Sequence, residues 1–156
     1  MSSRNEMENF DFWPEGVQQH CDIRDKVFAI EAKMKEMQQL ELPVNHYFSN
    51  AVYARELIIP KDAVIVGKIH KHQNLNILAK GCLDVLVDGE IKRITAPFTV
   101  VSPPGTKRIA YAIEDSVWIT IHNTNETDLD VIEKQFIAQS EHEWLEFCNQ
   151  RPLLGN

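Results

Sequence analysis

The chain has 156 residues, enough for one domain with a sizeable core. Its composition, 44% hydrophobic and 25% charged, is that of an ordinary globular protein. The net charge of −7 argues against non-specific binding to nucleic acid or an anionic membrane, since both would be repelled at long range.

The opening, MSSRNEMENFDFWPEG, is polar and acidic rather than basic and then apolar, and no apolar stretch reaches the ~18 residues that span a bilayer. Cys21, Cys82 and Cys148 share no CxxC spacing, so they suggest neither a disulfide framework nor a zinc site. A cytoplasmic protein is expected. After the leader, Ile23, Val27, Ile30, Met34 and Met37 recur in steps of 4, 3, 4 and 3, which predicts a long helix between Pro14 and Pro43. Its stripe suits packing on the domain's own core or a seam between two copies. Residues 1–43 are therefore read as a leader and an N-terminal helix.

From residue 44 the period changes. VYARELII, AVIVGKIH, LNILA, CLDVLV, EIKRI, FTVVS, KRIAYAI and VWITIH are short β-rich runs separated by turn residues. Asp88-Gly89 between CLDVLV and EIKRI is the strongest hairpin signal. Strands at this spacing without intervening helices predict a mainly β domain, a sandwich or small barrel, over 44–126. Helical signals return over 127–156. Thr127 precedes Leu129, Ile132, Phe136 and Ile137 on one side, and Ser140 with Glu143 forms a capping box. Two short helices packed on the barrel are expected.

The β-region also carries specific residues. GKIHKH, Gly67 to His72, resembles the HxH core of the first cupin motif, and PPGTKR resembles the PxGxxH core of the second. The LVDGE hairpin lies between them, as in cupins. The stretch from Val44 to Ala138 resembles small cupin-like proteins encoded by tailed bacteriophages. The resemblance implies a double-stranded β-helix, or jelly-roll barrel, and a phage-infected cell as the setting. Activity does not follow from it, because the cupin fold hosts many chemistries. Metal-binding cupins take two histidines and a glutamate from the first motif and a histidine from the second. Here His70 and His72 match the pair, Asn76 is nearest the glutamate, and Arg108 stands at the last position. A guanidinium has no lone pair to give a metal.

Strand alternation sets Lys68, His70 and His72 on one face, Arg108 with Ala110 and Ala112, and Trp118 with Thr120 and His122. Three readings are open. In the first, His70, His72 and His122, or His46, hold zinc, iron or nickel for a metal-dependent enzyme acting on a small polar substrate. In the second, Lys68, His70, His72, Arg108 and His122, with Trp118 for stacking, bind a small anion such as a nucleotide or nucleotide-derived signal, and no cofactor is required. In the third these groups satisfy one another, and the protein is an interaction or virion-associated structural protein. The acidic charge and the helical stripe predict a homodimer. Lys107 is expected to face solvent.

Overall fold

The computed structural model describes residues 23–87 and 89–150. Pro14, His20, Cys21 and Asp88, each singled out in the sequence, lie outside the described residues. Among the described residues no helix is long and apolar enough to cross a membrane.

Helix α1 (Ile23–Lys35) uses its stripe on its own domain. Val27 and Ile30 are buried to 2% and 1% exposure against Ile109, with Met34, Val64, Val66 and Leu86 around them. The stripe was expected to run on to Met37, but the helix ends two residues earlier. Glu36 and Met37 donate to the carbonyls of Lys33 and Met34, the tighter i→i+3 bonds of a terminating turn, and Met37 is 59% exposed.

The β-domain contains β1 (Val44–Ser49), β2 (Val52–Ile59), β3 (Val64–Val66), β4 (Ile69–His70) and β5 (Asn74–Lys80). It continues through β6 (Cys82–Val87), β7 (Glu90–Thr95), β8 (Phe98–Ser102), β9 (Ile109–Ala112) and β10 (Ser116–Asn123). All pairings are antiparallel. The larger sheet has the order β1-β2-β10-β5-β8 and the smaller one β3-β9-β6-β7. Apart from the hairpins β1-β2 and β6-β7, each within one sheet, the chain crosses repeatedly between the two sheets, the mainly β, cupin-type double-stranded β-helix expected from the sequence. Helix α2 (Leu129–Phe136) and helix α3 (Glu141–Gln150) flank β11 (Ile137–Ala138), which pairs with β4. Asp128, rather than Thr127, caps α2, its carboxylate accepting from the amides of Asp130 and Val131.

The barrel interior has a dry end and a polar end, and register places them. On the larger sheet Leu57, Trp118, Leu78 and Phe98 lie in one inward row. With Ile59 and with Leu83, Val85, Ala110 and Ala112 from the smaller sheet they form the core. One step further along the same strands the inward row is Arg55, Thr120, Asn76 and Val100, followed by Tyr53 beside His122 and Asn74 beside Ser102. Polar residues on an inward face mark where a β-barrel has stopped being only a core.

Gly81 and Gly89 sit at turns with φ of 89° and 78°, and Val87 pairs with Glu90 across the tight hairpin. A Cβ at Gly81 would lie 2.2 Å from Ser116 Oγ and 2.5 Å from the Asp115 carbonyl oxygen. Gly81→Ala is therefore expected to destabilise the fold by about 2 kcal/mol or more, lowering the melting temperature by at least roughly 4 °C in a thermal melt.

Candidate functional site

The polar end holds a partly open cavity of about 100 Å³. Its polar lining residues are His70, Asn74, Asn76, Ser102, Arg108 and Thr120, its apolar ones Ile65, Leu83, Val85, Ala110 and Trp118, with Gly67, Lys68 and Thr106 also in the lining. Of the residues proposed from sequence, Lys68, His70, Arg108 and Trp118 meet here, while His72 and His122 are not among the lining residues. The alternation that would carry His72 in beside His70 stops with β4, and Lys71 and His72 lie in a bend. His72 instead packs edge-on against Phe136 and Phe147, with ring centroids 5.8 and 5.4 Å away. His46 lies on edge strand β1 and hydrogen-bonds Tyr53 Oη at 2.8 Å.

The polar wall is a continuous hydrogen-bond network. Arg108 Nη1 donates to Ser102 Oγ at 2.7 Å, and Asn76 Nδ2 donates to the same oxygen at 2.7 Å. Asn76 Nδ2 also donates to Asn74 Oδ1 at 2.9 Å, and Thr120 Oγ1 donates to Asn76 Oδ1 at 2.8 Å. The Asn74 amide nitrogen meets His70 Nδ1 at 2.5 Å. Asn74, Asn76, Ser102 and Thr120 are all buried, so satisfying one another holds them in fixed rotamers and offsets their desolvation. Asn74, Ser102 and Thr120 escape a search for ionisable groups. The signal that would have found them is a polar residue at an inward strand position.

Lys68 stands at the mouth, 57% exposed, in an ion pair with Glu133 of α2. Lys107, expected in solvent, has a side chain only 4% exposed. Alternation does turn it away from the barrel, but α1 covers that side. Its ammonium pairs with Glu31 at 2.9 Å and lies 4.9 Å from the centre of the Phe28 ring.

His70 and His122 stack with ring centroids 5.3 Å apart and planes 12° from parallel, and Phe136 covers His122 at 4.4 Å. Burial pushes His70 down to about 3, with His122, Arg55, Arg108 and Lys68 adding to the effect. Burial likewise pushes His122 down to about 4, aided by His72 and Arg55. Both rings are neutral at physiological pH, and His122 Nδ1 is buried without a hydrogen-bond partner. Because the folded rings resist protons that the unfolded chain accepts below its ordinary pKa of about 6.5, stability should be level above that pH and fall as pH drops towards 4. Thermal melts from pH 7 to pH 4 should show this slope, and His122→Phe, which keeps the stack, should reduce it to the part that His70 carries. An equal slope in the variant would mean that His122 carries none of it.

The metal set implied by the cupin resemblance does not fit these residues. Arg108 has no donor lone pair, His72 is outside the cavity lining, and His70 Nδ1 is occupied by Asn74. The near-parallel rings of His70 and His122 do not converge their in-plane lone pairs on one point. Among the described residues no three His, Cys, Asp or Glu gather as a metal-binding group.

Fold and site together define a cupin-type barrel with a small polar-ended pocket. No protein-family profile and no curated protein sequence matches the chain. Solved structures similar to it include KdgF from Halomonas sp., 22% identical over 59% of this chain and 88% of that one, with a TM-score of 0.49. An RmlC-like cupin from Shewanella frigidimarina is 25% identical over 53% of this chain and 75% of its own, with a TM-score of 0.45. The Cupin_2 domain of an XRE family transcriptional regulator from Enterobacter cloacae is 12% identical over 55% of this chain and 98% of its own, with a TM-score of 0.46.

Proposed function

We propose that this is a small-anion-binding cupin-like protein whose pocket takes its positive charge from Arg108 rather than from a metal ion. The observation that carries the reading is Arg108 itself. Its guanidinium stands at the motif position of a metal-binding histidine, lines the cavity, and is steadied by Ser102 at 2.7 Å. A cation fixed in a partly desolvated pocket attracts an anion far more strongly than one in water. The neutral His70 adds a hydrogen-bonding group without adding charge. The cytoplasm of a phage-infected cell, as the setting, rests on the sequence resemblance alone.

The test is a calorimetric titration with small anions on protein purified without a metal-affinity tag and treated with a chelator. Binding is expected to survive chelation, with the melting temperature unchanged. Binding that returns only with added zinc, iron or nickel would overturn the proposal in favour of a metal-dependent enzyme.

Pairing of two copies belongs to the same proposal. The outer face of the larger sheet carries an apolar row from edge to edge, Tyr47, Ala54, Ile121, Leu75 and Val101. Both ends of the row, Tyr47 and Val101, are 54% exposed. Light scattering that returned a monomer of 18.0 kDa at micromolar concentration would refute the pairing.

A further inference from the structure

We infer that the pocket is built for a compact carboxylate carrying an apolar body, and not for a nucleotide, a sugar phosphate or a polyhydroxylated acid. This rests on the anion-binding reading above and narrows it to one chemical class. The first argument is an inventory of protons on the polar wall. A serine hydroxyl has one proton and two lone pairs. Both lone pairs of Ser102 are taken, by Arg108 and by Asn76, so its proton is left to donate. His70 accepts at Nδ1 from Asn74, which puts the proton of the neutral ring on Nε2. Arg108 only donates. The lining therefore presents donors from these three side chains, while Thr120 and Thr106, whose protons go to Asn76 and to the Pro103 carbonyl, keep lone pairs. A deprotonated oxyanion matches the donors that Arg108, Ser102 and His70 supply.

The second argument is the apolar part of the lining. Ile65, Leu83, Val85 and Ala110 offer no side-chain hydrogen-bonding group, and Trp118 adds a broad ring face. A ligand hydroxyl laid there would lose its water and gain nothing, which weakens binding by about tenfold for each such group. Apolar carbon laid there gains from burial.

The third argument is size. At ~10–15 Å³ for each water-sized site, the cavity of about 100 Å³ holds roughly seven to ten such sites, matching roughly five to ten non-hydrogen atoms. Benzoate and hexanoate fall in that range, whereas a nucleotide is more than twice as large.

The experiment titrates the full chain, to millimolar concentration, with benzoate, hexanoate, gluconate, inorganic phosphate and adenosine monophosphate. Benzoate or hexanoate should bind at least about tenfold more tightly than the other three. Ile65→Thr, which places a hydroxyl on the apolar wall at a partly buried position, should erase most of that preference, with a thermal melt confirming the fold. Should that variant fail to fold, the ligand ranking on the wild-type chain decides alone. Gluconate, phosphate or the nucleotide binding as tightly as benzoate, in a manner that Arg108→Ala abolishes, would overturn this inference and leave the anion pocket standing. No binding by any of the five would overturn the anion pocket itself.

Discussion

Arg108→Ala is expected to abolish anion binding while the barrel stays folded. Losing a buried charge-assisted contact costs about 2–5 kcal/mol, so affinity should fall by at least roughly thirtyfold in a calorimetric titration. Arg108→Lys should recover only part of it, since an ammonium keeps the charge but lacks the planar fork of donors. The fold should survive because Ser102 retains its bond from Asn76 at 2.7 Å, and the bonds that join Asn76 to Asn74 and to Thr120 also remain. Removing Arg108 also removes one of the cations that oppose protonation of His70. Two results count against the proposal: wild-type affinity in the alanine variant, or loss of the folded state, which would make Arg108 a structural residue.

Arg93→Ala should cost more stability than the loss of any surface ion pair. Asp84 lies at the centre of β6, only 1% exposed, directly across from Arg93 on β7. The guanidinium holds both carboxylate oxygens, Nε to Oδ1 at 2.8 Å and Nη2 to Oδ2 at 2.9 Å. Most exposed pairs contribute under about 1 kcal/mol, but here truncating one partner strands a buried charge, at a cost of about 3–5 kcal/mol. The melting temperature should drop by roughly 6–20 °C. Replacing both residues together, Asp84→Val with Arg93→Thr, should recover most of the loss, since an uncharged pair leaves no buried charge to compensate. A double variant as unstable as Arg93→Ala would show that the carboxylate has a further structural partner.

Much of the fold was legible because its signals are local. Asp88-Gly89 marks a hairpin whose second residue needs positive φ, and Gly89 adopts 78°. Alternation set Ala110 and Ala112 on one face, where both join the barrel core, and the packing puts Ile109, on the other face, against α1. The candidate site was less legible because it depends on where strands stop and on what covers them. The HxH pattern assumes an extended chain through His72, yet the backbone bends at Lys71 to meet the C-terminal segment. Lys107 is dry because a helix far away in sequence lies over it, which no local pattern encodes. Asn74 and Ser102 carry no charge or motif to mark them in sequence, yet the pocket is organised by such neutral groups.

The short ladder between β11 and β4 ties the pocket to the far end of the chain. His70 pairs with Ile137, the amide of Lys71 donates to the Phe136 carbonyl at 2.7 Å, and Gly105 donates to the carbonyl of His70 at 2.8 Å. The histidine strand therefore borrows its backbone partners from a segment more than sixty residues downstream. In terms of amide exchange, the two segments should therefore open together as one cooperative unit. A ligand seated against His70 would slow exchange in residues 129–138 as well as in the strands it touches, so occupancy of the cavity is reported at a helix that does not line it.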